Sequence, residues 1–277
     1  MPKIEAIGGQ AVIEGVMMKS QQKLAVAVRL PNKKIKTKVE KLRKLRKFWR
    51  IPFIRGFVQL IFILIIGLKA LSWSADQQLG KDEKIGALAM ALTLLFSIGM
   101  AIAFFIIAPF FLTRLVIEKG FLFNLIDGII RIAIFIIYIL IIARMKDVKN
   151  LFKYHGAEHK TVNCYEAKKP LTIKNIKKFS TLHPRCGTAF ILIVLIISIL
   201  IFSLVKGSWQ IHLISRIILI PVIAGISYEI LKLSDKFKNS KIMKIITSPG
   251  LALQKLTTAE PTGRQIEVAL AAFKALK

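Results

Sequence analysis

Acidic residues are scarce in this 277-residue chain: 15 Asp and Glu stand against 43 Lys and Arg, a formal balance of +28. Cysteine is scarcer still. Cys164 and Cys186 are the only two and share one basic segment, which excludes a disulfide-stapled secreted domain and favours free thiols or metal ligands in a cytosolic setting. The opening MPKIEAIGGQ lacks the apolar core of a signal peptide. No internal repeat, low-complexity tract, Walker loop, dinucleotide fingerprint or Ser/His/Asp ordering is present, and Gly8-Gly9-Gln10 lacks the strand–helix context of a phosphate loop. Nor does any stacking motif or nucleic-acid fold signature accompany the basic charge. It is therefore read as membrane orientation and attraction to anionic lipid, with no nucleic-acid partner expected.

What the chain has in excess is apolar surface. Hydrophobic residues make up 55% and the mean hydropathy is +0.59, which rules out a soluble enzyme and a disordered tail. Residues 85–112 and 188–205 carry no charge at all and are each long enough to span a bilayer. The expected class is a mainly α-helical integral membrane protein.

Charge distribution predicts the topology. Residues 1–56 carry 15 basic residues against three acids, 144–187 carry 11 against three, and 232–277 carry nine against three. All three segments should face the cytoplasm, both termini included, so crossings between them come in pairs. One hairpin spans 85–143, with Arg114, Glu118 and Lys119 in its outer loop; a second spans 188–231, turning at Lys206-Gly207-Ser208-Trp209. The result is a four-span bundle. Residues 57–71, FVQLIFILIIGLKAL, are read as an extra interfacial or re-entrant helix, because 15 helical residues reach about 22 Å against a core of about 30 Å; a fifth span is the alternative. In the cytosolic N-terminal segment, KLAVAVRL and KKIKTKV flank Pro31-Asn32 as a hairpin of short strands, a small β element before a basic helical stretch at 40–49. The cytosolic tail, 232–277, is punctuated at Pro249-Gly250 and ends in a helix over 264–276.

Few polar residues interrupt the spans. Asn124, Asp127 and Arg131 share one helical face, and Asp127 and Arg131 can neutralise each other one turn apart, so a structural pair is favoured over a transport site. His212 and Arg216 are read as interfacial anchors. Glu229, near the cytosolic end of the last span, either snorkels or reaches a site formed by 144–187.

The cytosolic segment 144–187 holds three of the four histidines. His155-Gly156-Ala157-Glu158-His159 is an H-x-x-E-H pattern: on a helix the two imidazoles stand one turn apart and can share a metal ion, zinc above all, with Glu158 placed as general base. Asn163 and Glu166 continue the face of His159, and His183-Pro184-Arg185-Cys186 follows just before a span. His183 or Glu166 is the expected third ligand, and a closed four-ligand site would use Cys186. Lys160 and Arg185 are candidates to balance an anionic intermediate. Gln10 and Glu14, in a Gly-flanked strand-like stretch on the same side of the membrane, are expected to support the histidines.

Three blocks carry a resemblance: GGQAVIEGVMM at 8–18, YHGAEHKTVNCYE at 154–166 and HPRCGT at 183–188, joined by IRG at 54–56, RMKD at 144–147 and EPTGRQIEVA at 260–269. They resemble the YqhQ-like bacterial membrane proteins, the domain of unknown function 1385 family, over nearly the whole chain. The resemblance implies a soluble N-terminal segment, membrane spans with a His-rich loop between them, and a metal-dependent enzyme with no established substrate. It also implies a less apolar 57–71 segment, and it argues against Cys164 as an essential ligand, since other members carry a different small residue there. Two functions follow as expectations. One is a metal-dependent hydrolase acting on a membrane-borne substrate at the cytosolic face. The other is a non-enzymatic assembly factor or transporter with a structural metal or none.

Overall fold

The computed structural model describes residues 5, 7–42, 51–79, 86–117, 120–237 and 240–277. Glu118, Lys119 and most of the expected basic helix at 40–49 lie outside these residues; Glu40 and Lys41 themselves belong to a strand.

The chain begins with a four-stranded antiparallel meander, β1 (Gly8–Val12), β2 (Gly15–Lys19), β3 (Lys23–Arg29) and β4 (Ile35–Lys41), paired in chain order. Glu14 makes the β1–β2 turn at φ +50°. Alternation of apolar side chains sends Val16, Met18, Ala25 and Ala27 to one face and Val12, Met17, Leu24, Val26 and Val28 to the other. Both faces are covered, and each buried Val, Met or Leu contributes up to about 1.5–3 kcal/mol. On the first face lie α5 (Lys146–Glu166) and α11 (Gly263–Leu276), through Tyr154, Ala157, Ile266, Ala269 and Phe273. Thr262 and Gln265 form a capping box that starts α11.

On the second face lies α1 (Ile54–Asp76), with Ile66 and Ala70 against the sheet. Gln10 Nε2 donates to the Gly67 carbonyl at 3.2 Å, Ser74 Oγ accepts from the Ile13 amide at 3.1 Å, and Gln78 Nε2 donates to the Arg29 carbonyl at 3.0 Å. The helix runs 23 residues, about 34 Å, so the 15-residue length expected for this segment is wrong. Polar Ser72, Ser74 and Lys69 do not end it, because the helix turns Ser74 toward the sheet.

Among the described residues, three helices are long and apolar enough to cross a membrane: Ile54–Asp76, Leu88–Arg114 and Phe121–Ile142. The second comprises α2 (Ala87–Ile102), a π-turn at Ala103–Ile107 and α3 (Ala108–Arg114); Pro109, lacking an N–H, follows the π-turn. Phe121–Ile142 is α4. After the four-residue α6 (Ile173–Ile176) comes α7 (Gly187–Ser203), apolar but only 17 residues long. The single span expected over 211–231 is instead two helices, α8 (Trp209–Ile218) and α9 (Ile220–Lys236), bent by 51° just before Pro221. α10 (Lys241–Thr257) continues through Pro249, and its Gly250 lies so close to α7 that a Cβ would stand 2.8 Å from Ala189.

Candidate metal centre

His155 and His159 project from α5 one turn apart, their ring centroids separated by 4.4 Å. Gly156 between them has no side chain for a reason. A Cβ there would sit 2.2 Å from the Ala259 carbonyl oxygen, so glycine lets the tail cross α5 directly. The Ala259 amide donates to the Phe152 carbonyl at 3.0 Å, and the same crossing brings the Thr257 carbonyl to His155 Nδ1 at 2.8 Å. His159 Nδ1 meets the Thr181 carbonyl at 2.5 Å. A carbonyl only accepts, so each Nδ1 carries the proton and each Nε2 is left with its lone pair.

Cys186 completes the group. It stands at the N-cap of α7, with Sγ 3.2 Å from His155 Nε2 and 3.2 Å from Thr188 Oγ1. The ligand atoms of His155, His159 and Cys186 all lie within 4.8 Å of one another. Two imidazole Nε2 lone pairs and one thiol sulfur are a borderline-soft donor set suited to zinc, so these residues fit a divalent metal. Burial holds His159 below the ordinary histidine range, against the opposing pull of Cys186, which keeps the ring neutral and competent as a ligand.

Glu158 is buried beside this group, Oε2 at 3.5 Å from His159 Nε2. Burial raises its carboxyl above the ordinary range, opposed by His155, His183 and Arg185. β1 closes over it: a Cβ on Gly9 would meet Glu158 Cγ at 3.0 Å and Oε1 at 3.1 Å. Gly9 of the opening motif therefore bears on the site sterically, a link that spacing in sequence does not reveal.

The residues expected as third ligand form a separate arrangement. Gln254 on α10 clamps the His183 backbone from both sides, accepting from its amide and donating to its carbonyl, each at 2.9 Å. His183 Nδ1 accepts from the Arg185 amide at 3.3 Å, and Nε2 faces Glu166 Oε2 at 3.6 Å. Glu166 in turn pairs with Arg185. With its Nδ1 accepting, His183 turns an N–H rather than a lone pair toward Glu166. Its ring lies 5.8 Å from that of His159. Asn163 Nδ2 donates to the Ser180 and Leu182 carbonyls and so braces the loop carrying His183. Lys160 is occupied, donating to the Lys177 carbonyl at 2.8 Å and pairing with Glu260 at 2.6 Å.

The more distant candidates have other partners. Glu14 accepts from Asn150 Nδ2 and, at 3.2 Å, from the Tyr154 hydroxyl; burial and that carboxylate raise the Tyr154 phenol. Gln10 binds α1. Glu229 pairs with Arg55, joining α9 to α1. Cys164 is buried with its sulfur near the Lys169 and Pro170 carbonyls. Sequence reasoning did not find Thr181, Thr257 or Gln254; the first two act through backbone carbonyls, and only Gly156 hinted at the close approach.

The sequence model of the family described as "Protein of unknown function (DUF1385)" matches residues 51–277. "Uncharacterized protein YqhQ" of Bacillus subtilis (strain 168) is 35% identical over 293 residues, covering 98% of this chain and 92% of that relative. No solved structure matches.

Proposed function

The chain belongs to the DUF1385 family, and we propose that it is a multi-pass membrane hydrolase with a zinc-type centre held by His155, His159 and Cys186 at the cytosolic face of a bacterial inner membrane. The observation that carries the reading is the convergence of three ligand atoms within 4.8 Å, with both imidazoles oriented by backbone carbonyls. A divalent metal bound there supplies Lewis-acid polarisation of a substrate oxygen and acidifies water. Glu158, buried and with its carboxyl raised, is suited to take a proton from the attacking water at Oε2 and return it to the leaving group. The Arg185–Glu166 pair and His183 border the site and orient the loop rather than bind the metal.

Membrane location rests on three to four apolar helices and on their exposed faces, including Leu95, Phe96, Ile98, Ile129 and Ile141. Cys186 caps α7, the helix that enters the apolar layer, so the centre sits at the membrane's edge. A lipid, or a peptide held in the bilayer, is the substrate class that such a position favours. The four-span arrangement, with α1 at the interface, is supported by the sheet that covers one flank of α1 while Ile61, Leu64, Ile65 and Leu68 stay exposed on the other.

Metal analysis of detergent-purified protein tests the proposal. Wild type should carry one equivalent of zinc or a similar divalent metal, and His155→Ala and His159→Ala should lose it. Wild type purified without metal, after growth in zinc-supplemented medium, would leave the histidines as hydrogen-bonding residues only. The burial of His159, Glu158 and Cys186 favours a second reading, a structural metal in a non-enzymatic assembly factor or transporter. Glu158→Gln separates the two: a structural centre tolerates it, a hydrolase does not.

A further inference from the structure

A second cluster of ionised side chains lies inside the helix bundle, apart from the metal centre. Asp127 and Arg131 on α4 meet Arg216, which arrives from α8. Arg216 was expected at an interface; it is 1% exposed and is among the largest fully buried side chains of the protein. Both arginines donate to the same oxygen: Arg131 Nη2 lies 2.8 Å and Arg216 Nη2 3.0 Å from Asp127 Oδ2. Arg131 Nη1 also reaches Ser198 Oγ on α7 at 3.3 Å, and Arg216 Nη2 reaches Asn124 Oδ1 at 3.4 Å.

The charges do not cancel. Two guanidiniums face one carboxylate, and a guanidinium does not deprotonate in a protein, so the cluster cannot titrate itself to neutrality. Phe110, Phe123 and Phe202 surround Arg216 with ring centroids 4.8, 5.7 and 5.0 Å from its guanidinium carbon. Their faces stabilise a cation, but they leave the net charge in place. Hydrogen bonding gives an independent sign of the same deficit. Arg131 Nε and Arg216 Nε are buried donors with no acceptor among the described residues. Arg131 and Arg216 are both more than nine-tenths buried, where an unmet donor and an unmet charge are each costly.

We propose that this cluster is an anion-binding site, taking a monoanion that accepts from the guanidinium N–H groups of Arg131 and Arg216. Asp127 Oδ1 also lacks a donor among the described residues. A hydroxyl-bearing oxyanion such as dihydrogen phosphate has the chemistry for all three needs, with oxygens that accept from Nε groups and a hydroxyl that donates to Oδ1. Chloride meets the first two. A phosphodiester lipid headgroup offers the same acceptor chemistry from the bilayer side. The inference is independent of the metal centre, since none of its residues touches that site.

The test is thermal unfolding of the full chain in neutral detergent, at constant ionic strength, starting from gluconate. Chloride or phosphate should raise the midpoint saturably, by about 5 °C at high occupancy. Phosphatidylglycerol, added without either anion, distinguishes a headgroup from a free ion: a rise with lipid alone assigns the site to the headgroup, a rise with salt alone to the free anion. Arg131→Gln leaves one arginine against one aspartate and should abolish the response. Asp127→Asn, which increases the net positive charge, should shift the response to lower anion concentration and serves if Arg131→Gln does not fold. Equal midpoints in gluconate, chloride, phosphate and lipid overturn the proposal, as does an undiminished response in Arg131→Gln.

Discussion

A Cβ at position 156 would meet the Ala259 carbonyl oxygen at 2.2 Å, and a backbone oxygen cannot swing aside as a side-chain tip can. Gly156→Val should therefore push the tail off α5 and pull Thr257 away from His155 Nδ1. The expected cost is about 1–3 kcal/mol of stability, seen in thermal unfolding, with metal affinity reduced roughly 10–100-fold in a chelator competition. Unchanged metal affinity in a destabilised Gly156→Val protein would mean that Thr257 does not orient the ring. Glu158→Gln makes the complementary prediction. The amide has nearly the same shape, so fold and metal content should persist while complementation of a deletion strain is lost; full complementation would remove Glu158 from the chemistry. The His155–Glu158–His159 face was legible in the sequence because one helical turn fixes it locally. Its third member was not. His183 and Cys186 are three residues apart, and what separates their roles is Gln254, 71 residues from His183, gripping that backbone.

At the scale of elements, the glycines of α1 give an ordering that can be measured. A Cβ on Gly56 would stand 2.7 Å from Tyr228 Cβ and 3.0 Å from the Gly225 backbone, so two helices meet there with nothing free to move. The nearest atoms to a Cβ on Gly67 would be the amide end of Gln10, at 2.6 Å from Oε1 and 2.9 Å from Nε2, which can rotate away. Gly56→Ala should lower the melting temperature by roughly 4–8 °C and Gly67→Ala by clearly less; the reverse order would mean that the seat on the sheet, and not the contact with α9, anchors α1. The strand pair around Pro31-Asn32 could be read from sequence, since alternation and turn residues are both local. The ends of α1 and the continuity of α10 could not. Polar residues inside α1 resemble an end until a sheet is there to receive them, and Pro249 resembles a stop although α10 passes through it, packed on α7 beside Gly250.

For the whole molecule, the decisive fact is a shared core. Val16, Met18, Ala25 and Ala27 of the sheet are buried together with Tyr154 and Ala157 of α5 and with Ile266 and Phe273 of α11. A single core cannot be divided by a bilayer, so residues 8–42, 146–166 and 263–276 occupy one side of any membrane the protein sits in. The number of crossings between β4 and α5 is then even. Among the described residues three helices in that interval are long and apolar enough to cross, Ile54–Asp76, Leu88–Arg114 and Phe121–Ile142, so the proposed four-span arrangement leaves one of them out of the bilayer. α1 is the helix bound along its flank to the sheet, from Gly67 through Gln78. Under the proposed topology the basic segments 1–56, 144–187 and 232–277 put that shared side in the cytoplasm. Single cysteines placed at Gln21, Asn175 and Lys277, in a background without Cys164 and Cys186, should thus all resist a membrane-impermeant thiol reagent in intact cells and react in inverted vesicles. Labelling of Gln21→Cys in intact cells while Asn175→Cys stays protected would put a bilayer through the shared core and overturn the four-span reading.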